Sequence, residues 1–97
     1  MAQIQGGTLF GLTAALFGDI TFKDGKVEQG NFDSYRILRI NETPKLDTFR
    51  IDSGESPGGL GEVSTVTVAP AVVNAIFAAT GKRIRKLPID SQTLRKV

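Results

Sequence analysis

Pro57-Gly58-Gly59-Leu60-Gly61-Glu62, followed by Ala69-Pro70-Ala71-Val72-Val73-Asn74-Ala75-Ile76-Phe77-Ala78-Ala79-Thr80-Gly81, decides how this chain is read. The first piece is a glycine run carrying one carboxylate. Glycine lets backbone approach a neighbour closely and reach φ > 0, so the run is a loop able to hold Glu62 against something bulky. The second piece is a helix. Val72, Val73, Ile76 and Phe77 form its apolar stripe, Ala69 or Thr67 begins it with Pro70 in the first turn, and Gly81 is its stop signal. Between the two, Val63 to Val68 alternates Val with Ser and Thr and suits extended backbone or a first turn.

Upstream, Ile4, Leu9, Phe10, Leu12, Leu16 and Phe17 recur at spacings of three and four, which favours a helix over Gln3 to Phe17. Gly6, Gly7 and Gly11 each weaken such a helix by about 1 kcal/mol relative to Ala. Their presence implies close approach of a neighbouring backbone, and Gly18 is the expected stop. Ile20-Thr21-Phe22-Lys23 and Lys26-Val27-Glu28-Gln29 flank Asp24-Gly25, the strongest local signal for a tight hairpin. Asn31 to Tyr35 reads as a loop, Arg36 to Ile40 as a short segment ended before Pro44, and Lys45 to Asp52 as an alternating strand. Asp52 to Gly61 is loop, and Arg83 to Ile89 a strand-like tail. The expected fold is α+β: one domain over residues 1–97, two helices packed on a small antiparallel sheet.

The chain has 97 residues, 40% hydrophobic and 23% charged, with a formal net charge of +2. That composition argues for a folded domain and against disorder. With no cysteine and no histidine, disulfides, thiolate nucleophiles, zinc sites and His-assisted catalysis are excluded within it. No metal-ligand set is expected. No run approaches a membrane-spanning length, so no span is expected. Lys82-Arg83-x-Arg85-Lys86 with Arg95-Lys96 reads as a solvated edge beside a helix C-terminus. No nucleic-acid partner is expected. Neither glycine cluster fits a phosphate loop, because no Gly-Lys-Ser/Thr follows.

Glu62 admits two readings at this point. A carboxylate on an exposed turn has no further meaning, whereas a catalytic base needs a partly enclosed site. The two make opposite demands on burial.

Six pieces then occur in one order: Gln3-Ile4-Gln5-Gly6-Gly7, Gly11 to Leu16, Ile20 to Val27, Asn31-Phe32 with Tyr35-Arg36, Gly58 to Glu62, and Ala69 to Gly81. Together, from Gln3 to about Pro88, they resemble the carboxy-terminal segment of the molybdenum-binding large subunit of the xanthine dehydrogenase/aldehyde oxidase family. The isoquinoline 1-oxidoreductase beta-subunit and aldehyde dehydrogenase branch is the nearest in flavour. The resemblance implies a fragment of the molybdopterin-binding domain of an oxidoreductase that hydroxylates an aldehyde or N-heterocycle with water-derived oxygen. It implies that Glu62 is the active-site base, that Gln3 lies near the metal and pterin, and that Gly61 gives the backbone room beside the cofactor. The implied cofactor is molybdopterin cytosine dinucleotide or a related form in the complete enzyme, with none bound to this chain alone.

The implied partners are the remainder of the large subunit, a 2Fe–2S small subunit and a small-molecule substrate. The implied setting is bacterial, in the cytoplasm or the periplasm, with the cytoplasm preferred. Two departures from the branch stand out: Gln5 where it has Glu before the paired glycines, and Val63 where proline follows the glutamate. The loss of proline weakens the restraint on Glu62. The alternative is a non-catalytic interaction protein or truncated relic that kept the fold. Apolar surface facing absent neighbours would make the isolated chain a homodimer or higher oligomer.

Overall fold

The computed structural model describes residues 1–95. In chain order it has helix α1 (Ala2–Phe17), strands β1 (Phe22–Lys23) and β2 (Lys26–Val27), a 3-10 turn (Ile40–Glu42), helix α2 (Val63–Thr80) and a short helix α3 (Ser91–Arg95). The α+β class is as expected.

The two long helices pack on each other, through a seam of small residues. Gly7, Gly11 and Ala15 recur every fourth residue on α1 and are its buried positions. Side chains four apart share a helix face, so α1 presents a shallow stripe into which α2 settles. Gly11 is required there: a Cβ built on it would lie 2.5 Å from the Thr65 carbonyl oxygen and 3.1 Å from Val68 Cβ. The Thr65 hydroxyl donates a 3.0 Å hydrogen bond across the seam to the Gly7 carbonyl. Val68 is buried against α1, and the Ile89 N–H donates to the Ala15 carbonyl at 2.8 Å, pinning the tail to the same seam. Arg83 to Ile89 is not a strand; that bond holds its end, and the Arg83 guanidinium, donating to Asn74 Oδ1 at 2.8 Å, holds its start.

The hairpin forms where Asp-Gly places it. Asp24 (φ 50°) and Gly25 (φ 73°) both take positive φ, the twist that two-residue hairpins need. Phe22 pairs with Val27 and Lys23 with Lys26. Gln29 ties the base, accepting from the Thr21 N–H and donating to the Thr21 hydroxyl, each at 2.8 Å. The hairpin stands clear of the helices, with Phe22 71% exposed.

Three further expectations are corrected. Helix α2 starts at Val63, six residues before Ala69, and Pro70 lies inside it instead of in its first turn. Proline has no N–H, so the helix crosses Pro70 without that bond. Lys45 to Asp52 has no strand partner among the described residues. Finally, α2 is long and apolar enough, by length and composition, to cross a membrane, with a mean hydropathy of 1.6 over Val63–Thr80. Its alanines and valines raise the average although Ser64, Thr65, Thr67, Asn74 and Thr80 punctuate it. Its Thr65 and Val68 face is occupied by α1.

The core is thin. Ala15, Val68 and Ile89 are the buried hydrophobic side chains among the described residues, while Phe32, Ile40, Phe49 and Ile51 are each 87% or more exposed. The radius of gyration is 16.1 Å, against about 12.5 Å for a compact domain of this length. The accessible surface is 7898 Å², whereas a globular chain of this size exposes about 5,400 Å². The chain folds as a helix pair with attached segments and leaves most of its apolar side chains uncovered.

Candidate active-site groove

Helix α1 projects Gln3, Gly6, Gly7 and Phe10 along one side, because positions three, four and seven apart fall on one face. Where α1 meets the start of α2, these residues and Gly61 and Glu62 line one open groove of about 570 Å³, floored by Thr65 and Val66. The three residues singled out in the sequence, Gln3, Gly61 and Glu62, thus line one groove although they lie almost sixty residues apart.

Local structure fixes Glu62. It is the N-cap of α2, with φ −123° and ψ −9°, and its carbonyl accepts from the Thr65 and Val66 N–H groups. Its side chain makes no capping hydrogen bond and is left to face the groove. Both Glu62 and Gln3 are exposed. The enclosure that a catalytic base needs is not supplied by this chain.

The glycines near the groove and the helix seam differ in what they face. Gly7 and Gly11 are demanded by the helix seam. At Gly6, Gly58, Gly59 and Gly61 an added Cβ would meet nothing within 4 Å, and none of these has positive φ. Nothing inside the described chain requires glycine at those four positions, two of which, Gly6 and Gly61, line the groove.

No protein-family model matches the chain. Individual relatives do. It is 42% identical over 88 residues to membrane-bound aldehyde dehydrogenase [pyrroloquinoline-quinone] of Gluconacetobacter polyoxogenes, covering 91% of this chain and 11% of that one. It is 30% identical over 88 residues to isoquinoline 1-oxidoreductase subunit beta of Brevundimonas diminuta, with the same coverage. Against the putative xanthine dehydrogenase molybdenum-binding subunit XdhA of Escherichia coli it is 31% identical over 99 residues, 95% of this chain and 13% of the relative. The chain belongs to the xanthine dehydrogenase/aldehyde oxidase family of molybdenum-binding subunits. It spans only about a tenth of the length of these relatives.

The groove suits one wall of this family's cofactor site and does not suit a metal cage. Among the described residues no three carboxylate, histidine or cysteine groups converge, so the chain offers no ligand set. It offers one carboxylate, one amide that can both donate and accept, and glycine backbone with open space beside it. Sequence reasoning missed Phe10, Thr65 and Val66 as groove residues. The seven-residue spacing from Gln3 to Phe10 on an α-helix was the available signal for the first. The other two become visible only once α2 is known to start at Val63.

Proposed function

We propose that this chain is the carboxy-terminal segment of a molybdenum hydroxylase large subunit, contributing the catalytic base and part of the cofactor pocket. The observation that carries the reading is the convergence of Gln3, Gly61 and Glu62 on one groove, in a chain whose relatives are molybdenum-binding subunits. When bound, the molybdenum cofactor supplies a two-electron acceptor and the site at which water-derived oxygen is activated. Glu62 then takes a proton at its carboxylate, a role suited to a side chain free of capping bonds. Gln3 holds polar atoms of the cofactor through its amide, and Gly61 keeps the backbone beside it free of a side chain. Val66 and the exposed face of Phe10 contribute apolar surface that excludes water once the groove is closed.

The rest of the large subunit closes the groove and carries the remaining cofactor contacts, and a 2Fe–2S subunit removes the electrons. The substrate class is an aldehyde or N-heterocycle, the cofactor the cytosine dinucleotide or a related form, and the compartment the bacterial cytoplasm in preference to the periplasm. The name of the Gluconacetobacter relative points to pyrroloquinoline quinone instead. Metal analysis of the assembled enzyme separates the two: stoichiometric molybdenum is expected, and quinone without molybdenum would overturn the cofactor reading.

The direct test is Glu62→Gln in the assembled enzyme. Loss of a general base lowers turnover by about 10²–10⁴-fold, with molybdenum content and assembly unchanged. Full activity in that variant would favour the second reading, a non-catalytic relic. The exposed Glu62 and the helical Val63 after it are the observations on that side.

A further inference from the structure

The segment from Lys45 to Asp52 alternates in sequence as a β-strand does, yet among the described residues it takes no regular secondary structure and has no strand partner. Its ion pairs join residues two apart, as an extended segment allows: Lys45 with Asp47 at 3.5 Å and Arg50 with Asp52 at 3.0 Å. Residues two apart share a face only in extended backbone. Yet among the described residues no hydrogen bond reaches any N–H or carbonyl between residues 45 and 52. Phe49 is 87% and Ile51 92% exposed, on the same face of the alternation.

Isolated edge strands are normally protected by uncompensated charge, by brevity or by a covering element. This one has eight residues, enough for about 26 Å of strand. Its two cations and two anions are paired along its own length, so no net charge repels an incoming edge. Its neighbours Pro44 and Pro57 mark it off without interrupting it. Paired backbone is the rule in folded proteins, and side chains such as Phe49 and Ile51 rarely stay in water when a partner is available.

We infer that residues 45–52 add as a strand to the free edge of a sheet in the remainder of a molybdenum-binding subunit, with Phe49 and Ile51 entering an apolar pocket there. This rests on the family reading above. The occupant follows from the relatives: they share this stretch within chains roughly nine times longer in aligned share, 11% of each being matched. Backbone bonds supply affinity in such strand addition, and alternate side chains supply register.

The test is hydrogen exchange of the 45–52 amides in the isolated chain and in its complex with the rest of the subunit, with Asp47→Pro and Thr48→Pro alongside. Adjacent N–H groups of a strand point to opposite edges. One of the two prolines therefore weakens association by about tenfold more than the other, while Thr48→Ala binds normally. Exchange in the complex slows about 100-fold or more at alternate amides. A complex in which 45–52 exchange as fast as in the free chain overturns the inference and leaves the family reading intact. Protection that appears in the free chain with rising concentration overturns it in favour of a second copy. Failure to form any complex removes the proposed function and this inference together.

Discussion

The Thr65 hydroxyl donates to the Gly7 carbonyl at 3.0 Å, and this bond links the turn of α1 that carries Gln3 to the turn of α2 that follows Glu62. It crosses the helix seam at its open end, where the groove begins. It thus holds the backbone that carries the amide against the backbone that carries the carboxylate, through a β-branched side chain with few rotamers.

Thr65→Val keeps the shape and removes the donor. The chain should lose about 1 kcal/mol of stability, read as a lower unfolding midpoint by circular dichroism. In the assembled enzyme the same change should lower turnover more than it raises KM, because Glu62 is displaced while substrate contacts remain. An unchanged kcat would mean that the seam does not position Glu62.

Gly7 and Gly11 differ in what they face, and their substitutions should behave differently. A Cβ at Gly7 collides with the Ser64 hydroxyl, a buried oxygen with no hydrogen-bond partner. Ser64→Ala should be neutral or slightly stabilising, since an unsatisfied buried group is removed. Gly7→Ala should be destabilising in the parent and much less so beside Ser64→Ala, with a coupling of about 1 kcal/mol. Gly11→Ala meets the Thr65 backbone oxygen at 2.5 Å, so trimming Ser64 should not rescue it. Its cost is about 1–3 kcal/mol, as for overpacking generally. Equal costs for Gly11→Ala in both backgrounds, measured by denaturant unfolding, check the distinction.

These contrasts also explain what the sequence made legible. The hairpin was readable because Asp24-Gly25 carries its own conformational demand, positive φ at both residues. The α2 stop was readable for the same reason at Gly81 (φ 73°). The start of α2 was not. Val63 to Val68 is rich in β-branched residues, which suit extended backbone, and Pro70 resembles a first-turn residue. Packing of Thr65 and Val68 into the glycine seam outweighs both local preferences, and packing between distant segments is invisible to a local pattern. Glu62 was picked out through its glycine setting and the family resemblance, whereas the groove that joins it to Gln3 is a product of that same long-range seam.

Gly6 and Gly61 should tolerate alanine in the isolated chain, because an added Cβ meets nothing within 4 Å. At Gly6, inside α1, the change should stabilise by about 0.5–1 kcal/mol through helix propensity. In the assembled enzyme Gly61→Ala should lower molybdenum occupancy or activity, since the space beside it is read as the cofactor's. Stability unchanged with occupancy lost would be the expected pair of results; unchanged occupancy would leave Gly61 as an ordinary turn residue.

The exposed apolar surface gives a prediction for the chain by itself. Phe10, Phe49, Ile51, Val66 and Phe77 are each more than 40% exposed, and contiguous apolar surface drives association. Sedimentation of the purified 97-residue chain should therefore show self-association that grows with concentration. Replacing Phe10 and Val66 by Lys should lower it by removing apolar area at the open groove. Burying those two side chains contributes about 1.5–3 kcal/mol each, so the shift should reach tenfold or more in the association constant. A monomer at all concentrations would mean that the uncovered side chains find cover within the chain itself in solution, and the helix pair would then be more compact than 16.1 Å in radius of gyration, which small-angle scattering would detect.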